Sequence, residues 1–292
     1  MRLSTAILPV FNAADTRARW REAEELGFAC AYTYDYQTWR MFRDRPWYDA
    51  LLTLSLGASV TSEIRLGTLV TTPNYRHPVT LAKDLITLDA ICDGRLTLGL
   101  GAGTSSFDAA VLGDPPLTPR QRHNRLEEFT RGLDELLTND ETSFNGEWYT
   151  AVEARTIPGC IQRPRIPFAI AGSGPRGMKL TAELGAAWVC DLAAFDADFD
   201  VPAELLNQLA RLGDTLRDAG RSPDSLERIL LVGANSPAFA QDVDSLIGAA
   251  AEYAAAGFTE LVVHAPIHDV GLGTRPSVYA AASRLAQAIA EF

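Results

Sequence analysis

Strand-like apolar runs alternate with longer amphipathic segments from one end of this chain to the other, and no other feature restricts the fold so tightly. The strand candidates are 3–10, 29–34, 65–71, 96–100, 167–171, 187–191, 229–233 and 260–264. Between and after them, helical spacing predicts helices near 14–26, 48–60, 79–92, 120–137, 175–185, 202–219, 241–256 and 276–290. Most of the strand runs are continuously apolar, the pattern of strands covered on both faces in a parallel sheet. Eight such units in 292 residues predict one closed (β/α)8 barrel, a single domain over 1–292 with insertions after strands 4 and 8. The first insertion includes 138–166, where Asn145-Gly146 between β-formers predicts a small hairpin. Two further long strand-to-helix loops, 102–119 and 265–275, belong to the end of the barrel where sites form.

The run 166–171 breaks directly into Gly172-Ser173-Gly174-Pro175-Arg176-Gly177, after which a helical pattern starts at once. Glycines let the backbone approach a ligand, and Pro175 suits the first turn of a helix. The unpaired N–H groups there and the positive end of the helix dipole make a seat for a phosphate. The same residues match G-x-G-x-x-G, with Asp191 at the end of the next strand, as in a nicotinamide dinucleotide fingerprint. Against that alternative, the match falls in the fifth unit and places Pro175 inside the turn. A purely structural glycine turn is the third reading.

The composition narrows the partners. Lys and Arg number 26 against 37 Asp and Glu, a net charge of −11 without a basic run, which argues against nucleic acid and anionic membrane surfaces. Neither a secretory leader nor a membrane-length apolar run is evident, so the expectation is a cytoplasmic protein. Cys30, Cys92, Cys160 and Cys190 are far apart and read as reduced thiols, and no His, Cys or acid cluster has metal spacing. There is no G-x-S-x-G elbow and no P-loop.

Three further places could carry chemistry. Asp35 ends the second strand, followed by Tyr36 and Trp39, a carboxylate, a phenol and an aromatic wall at the functional end of a barrel; capping of a loop is the competing role for Asp35. Gly99, Gly101 and Gly103 leave the fourth strand bare enough for a flat ring, or for close strand–helix packing. Thr71 and Thr72 can donate hydrogen bonds, while Arg76 and His77 more simply tie down the loop before Pro78.

Together these segments resemble the bacterial-luciferase-like superfamily, and within it the branch dependent on the deazaflavin coenzyme F420. The resemblance lies in Leu66-Gly67-x-x-Val70-Thr71-x-Pro73-x-x-Arg76-His77-Pro78, in Asp93-Gly94-Arg95-Leu96-x-Leu98-Gly99-x-Gly101-x-Gly103, and in Ala171 to Gly177. It implies a TIM-like barrel with the ring in its mouth and the phosphate on the glycine turn. Asp35, Leu69, Val70, Thr72, Ala102, Gly103, Ser173, Gly174, Arg176 and Gly177 are the cofactor-binding positions it implies, with a non-prolyl cis peptide at Leu69-Val70. It also suggests a homodimer.

Two departures bear on the substrate. Sugar-phosphate dehydrogenases of this family carry a His where this chain has Tyr36, and a catalytic Glu where it has Thr104. Tyr36, with Asp35, is then the candidate catalytic pair, and a phenol with an ordinary pKa near 10 serves better as acid than as base. The expectation is an oxidoreductase moving a hydride between F420 and a small organic substrate, in the reducing direction. Trp39, Phe107, Trp188 and His264 are expected to line the substrate pocket. The alternatives are a flavin mononucleotide (FMN)-dependent monooxygenase and a flavin-binding barrel without catalysis.

Overall fold

The computed structural model describes residues 1–39, 42–104, 107–192, 202–233 and 242–292. Its strands are β1 (Arg2–Ala6), β2 (Cys30–Asp35), β3 (Arg65–Thr71), β4 (Leu96–Gly101), β5 (Glu141–Asn145), β6 (Thr150–Arg155), β7 (Phe168–Ala171), β8 (Ala187–Asp191), β9 (Glu227–Leu231) and β10 (Glu260–His264). All except β5 and β6 close into one parallel barrel in the order β1-β10-β9-β8-β7-β4-β3-β2. The closed barrel overturns the dinucleotide alternative, which needs an open sheet with a crevice at its switch point.

The helices are α1 (Ala13–Glu25), α2 (Ala50–Ala58), α3 (Pro78–Ile91), α4 (Pro119–Thr138), α5 (Pro175–Leu184), α6 (Ala203–Asp218), α7 (Val243–Ala255), α8 (Pro276–Tyr279) and α9 (Ala282–Ile289). Strand alternation divides the buried side chains into two layers. Ala6, Tyr32, Tyr34, Leu69, Val189, Leu231 and Val262 fill the barrel, while Leu66, Leu98, Ile170, Trp188 and Leu261 face the helices.

β5 and β6 form the expected hairpin, antiparallel, with Asn145 opposite Thr150. Its turn spans residues 146–149 and is not a two-residue Asn-Gly turn: the Gly146 N–H donates to the Tyr149 carbonyl at 2.9 Å. Glu128 on α4 holds that turn, accepting from the N–H groups of Glu147, Trp148 and Tyr149 at 3.0, 2.9 and 2.7 Å.

Two expected elements differ. The first strand ends at Ala6, because the backbone turns after it and Val10 N–H donates to Leu8 O; Ile7 and Leu8 are apolar because they are buried. The single helix expected over 276–290 is two, α8 and α9. All four cysteines are buried and free. No helix among the described residues is long and apolar enough to cross a membrane.

Candidate active site

β3 carries the feature around which the barrel mouth is built. The Leu69-Val70 peptide bond is cis, as the resemblance implies, and the register of β3 against both neighbours slips there. Val70 lies against β4, whose glycines accommodate it. A Cβ on Gly101 would stand 2.6 Å from Val70 Cγ2, and one on Gly99 would overlap the Thr68 carbonyl. These two glycines therefore make room for the bulge. The expectation that they leave bare backbone for a ring is corrected.

Above the bulge lies a cavity of about 260 Å³. Tyr34, Tyr36, Thr38 and Trp39 form its β2 wall, Leu69 and Val70 its floor, and Thr104, Ala171, Val189, Asp191 and Leu231 the far side. Tyr34 packs edge-on against Tyr36 and Trp39, with centroids 6.0 and 5.3 Å apart. Trp47 fixes the loop after β2 by donating to the Tyr36 carbonyl at 2.8 Å.

Asp35 does not face this cavity. It is fully buried on the opposite side of β2, towards the β3–α3 loop. Arg76 Nη2 donates to its Oδ1 at 2.7 Å and Arg76 Nε to its Oδ2 at 3.2 Å. Thr71 donates to Oδ2 at 2.8 Å, and Tyr75 donates to Oδ1. Burial and the neighbouring Asp35 carboxylate together push the Tyr75 phenol far up. With four donors on its two oxygens, Asp35 anchors the β3–α3 loop. His77 caps α3, its ring accepting from the Val79 N–H at 3.2 Å.

The remaining expected pocket residues divide. Trp39 lines the cavity. Trp188 does not: its side chain is in the helix-facing layer, where Nε1 donates to the Gly172 carbonyl at 3.0 Å and the ring stacks on Phe258. His264 is buried behind Tyr34, 2.7 Å from its hydroxyl. Phe107 opens a short 3-10 helix, and its side chain lies outside the described residues.

Among the expected cofactor positions, Leu69 and Val70 are on the cavity floor. Thr72 is buried beside them, accepting from the Asn74 N–H at 3.4 Å. Ala102 and Gly103 continue from β4, where Gly103 has φ of +69° and a Cβ would stand 2.9 Å from Asn74 Nδ2. Asn74 joins this loop to α4: Nδ2 donates to Asp108 at 3.2 Å and Oδ1 accepts from Arg125 at 2.6 Å.

Ala171 lines the cavity, and the next residues form the glycine turn into α5, so turn and cavity are continuous along the chain. Gly174 is the N-cap of α5 and offers no side-chain acceptor, which leaves the first N–H groups of the helix for a ligand. Gly172 and Gly177 approach so closely that a Cβ on either would lie 2.9 Å from the other's Cα. Arg176 stands exposed in the first turn of α5, held by Asn124 at 2.6 Å and Glu127 at 2.8 Å on α4. Ser173 and Gly174 are exposed and Gly177 is buried. An uncapped helix start with glycine backbone and a guanidinium is the donor set a phosphate requires.

These features define a parallel-barrel protein with an uncapped helix start beside an aromatic cavity, and comparison with known proteins gives its family. The chain matches the luciferase-like monooxygenase family over residues 1–290 and belongs to it. It is 31% identical over 211 residues to the F420-dependent glucose-6-phosphate dehydrogenase of Kineococcus radiotolerans, a stretch covering 72% of this chain and 60% of that protein. It is 32% identical over 217 residues to the F420-dependent hydroxymycolic acid dehydrogenase of Mycobacterium tuberculosis, covering 72% of this chain and 55% of that relative. In structure it is similar to an F420-dependent secondary alcohol dehydrogenase, with a TM-score of 0.81, 17% identity, and coverage of 99% of this chain and 98% of the other.

Proposed function

We propose that this chain is an F420-dependent oxidoreductase that reduces a small organic substrate. The observation that carries the reading is the continuity of the uncapped α5 phosphate seat with the aromatic cavity above the Leu69-Val70 bulge. Relatives named as F420-dependent dehydrogenases support the choice of deazaflavin. F420 supplies a two-electron hydride carrier.

The chain contributes position. Ser173, Gly174, Arg176 and Gly177 hold the phosphate, and Leu69, Val70, Thr72, Ala102 and Gly103 border the ring. Tyr36 and Trp39 form an aromatic wall that keeps water from the reacting carbon and orients a flat or apolar substrate. Tyr36 remains a candidate proton donor at that wall. Asp35 keeps its place in the site as the buried anchor of the β3–α3 loop.

Tyr36 and Thr104, which replace the His and Glu of sugar-phosphate dehydrogenases, both line the cavity. None of its described lining residues is Lys or Arg. A sugar phosphate therefore finds neither an acid–base pair nor a phosphate clamp among them, and an uncharged carbonyl compound fits the lining better. The working unit is read as a cytoplasmic homodimer.

Calorimetric titration of the protein with F420, FMN and NADPH side by side tests the reading. Tight binding of F420 alone is expected. Preference for FMN would favour a monooxygenase, and binding of NADPH alone would overturn the phosphate-seat argument.

A further inference from the structure

Outside the barrel mouth, the β3–α3 loop, the β4–α4 loop, α4 and the hairpin turn enclose a second cavity of about 430 Å³. None of its described lining residues belongs to the cavity above the bulge. Its walls are held in place from behind. Glu128 fixes Trp148 and Tyr149 through their backbone N–H groups. The Tyr149 ring packs against His77 and Phe129, with centroids 5.2 and 5.6 Å away. Leu112 and Leu117 add an apolar side from the β4–α4 loop.

The charges on this lining are unequally satisfied. Arg76 is paired with Asp35 and Asp49, each at 2.7 Å. Partial burial lowers the His77 ring below its ordinary value, so it is neutral at pH 7. Asp114 and Glu147 are exposed at the rim, where water screens them. Arg125 is different: it is only 8% exposed, yet among the described residues it pairs with no carboxylate. Its Nη2 donates to the Asn74 side-chain oxygen at 2.6 Å, and its Nε is buried without a partner. Asp108 stands beyond the same amide, accepting from Asn74 Nδ2 at 3.2 Å, so an uncharged group separates the two charges. The indole N–H of Trp148, on the same lining, is also buried without a partner. Buried charges and buried N–H groups are nearly always satisfied. Two side chains on one cavity with donors to spare call for an acceptor from outside the chain.

We propose that this cavity binds an organic monocarboxylate, with its charge on Arg125 and its apolar body against Trp148, Tyr149 and the two leucines. A guanidinium matches a carboxylate in shape and charge, and the pairing compensates a buried cation. Asp114 and Glu147 at the rim repel a second negative charge, which favours a monoanion over phosphate or a polycarboxylate. The site stands apart from the barrel mouth and does not depend on the F420-dependent reading.

The test is nitrogen-15 NMR of the intact protein, titrated with phenylacetate as the probe. Trp148→Phe assigns one of the five indole N–H signals to the cavity, and Arg125→Lys assigns the Arg125 Nε–H. Both signals should shift along one saturable curve, with a dissociation constant of about 1 mM or tighter. The neutral analogue 2-phenylethanol and inorganic phosphate should each bind at least about tenfold more weakly. Arg125→Gln should weaken phenylacetate by about tenfold or more while near-ultraviolet circular dichroism stays that of the natural chain. Should that variant fail to fold, Asp114→Asn combined with Glu147→Gln leaves Arg125 in place and tests the same site. This pair should tighten phenylacetate about twofold and phosphate more than that. Unchanged affinity for both ligands in the pair overturns the monoanion assignment. No shift up to about 20 mM phenylacetate, or equal binding of the neutral analogue, overturns the site itself. Shifts at Trp39 and Trp47 in place of Trp148 would put the ligand in the barrel mouth and overturn it as well.

Discussion

Arg76 holds the buried Asp35 carboxylate with two nitrogens and reaches Asp49, at the N-cap of α2, with Nη2 at 2.7 Å. One guanidinium thus links the end of β2, the β3–α3 loop and the start of α2. The two carboxylates hold it well above its ordinary pKa, although burial acts the other way. Arg76→Ala would leave the fully buried Asp35 short of its cation. The expected loss is about 3–5 kcal/mol in denaturant unfolding, with Arg76→Lys intermediate because a point charge cannot reproduce the fork. A loss under about 1 kcal/mol would mean that Thr71 and Tyr75 satisfy Asp35 without it.

His264 links stability to pH. Its folded pKa of about 4 lies below the usual 6.5, so the unfolded chain binds more protons between those values. Stability contributed by the buried neutral ring is complete above pH 6.5 and is lost as pH falls towards 4. The shift corresponds to roughly 3 kcal/mol. Between pH 7 and pH 4.5 the natural chain should therefore lose more unfolding stability than His264→Gln; equal losses in the two would mean that another group dominates the pH dependence.

Much of this architecture is legible in the sequence because barrel strands covered on both faces are continuous apolar runs. β3, β8 and β10 fall on the residues that pattern predicts. The phase within a strand is less visible. Trp188 and Val189 are both apolar, yet Val189 faces the cavity and Trp188 braces Gly172 from the helix side. Nor does the apolar pattern single out Tyr34, whose partner His264 is 230 positions away and meets it only when the barrel closes. Asp35 was visible as a carboxylate at a strand end, but its donors Thr71, Tyr75 and Arg76 come from a different unit. The signal that could have paired them is the Thr-x-x-x-Tyr-Arg run itself, three donors placed after a strand adjacent to β2.

The hairpin gives a local prediction. Glu128 alone accepts from three successive backbone N–H groups in its turn. Glu128→Ala should cost about 1–3 kcal/mol and raise hydrogen exchange at residues 147–149 far more than elsewhere. Exchange that rises evenly across the chain would show that the hairpin is held by Phe144 and Trp148 packing instead.

Gly174 offers the sharpest separation of stability from binding. Its φ of −85° and ψ of 163° suit Asp, and a Cβ there meets nothing within 4 Å. Gly174→Asp would cap α5 with its own carboxylate, satisfying the N–H groups left open for a phosphate. A cap and a favourable dipole interaction should raise stability by a few tenths to about 1 kcal/mol. The same carboxylate repels a phosphate and occupies its donors, so affinity for F420 should fall at least tenfold. Gly174→Ala, with neither charge nor acceptor, should bind within about threefold of the natural chain. Thermal unfolding and F420 titration of both variants check this. A more stable Gly174→Asp that still binds F420 fully would place the phosphate away from α5.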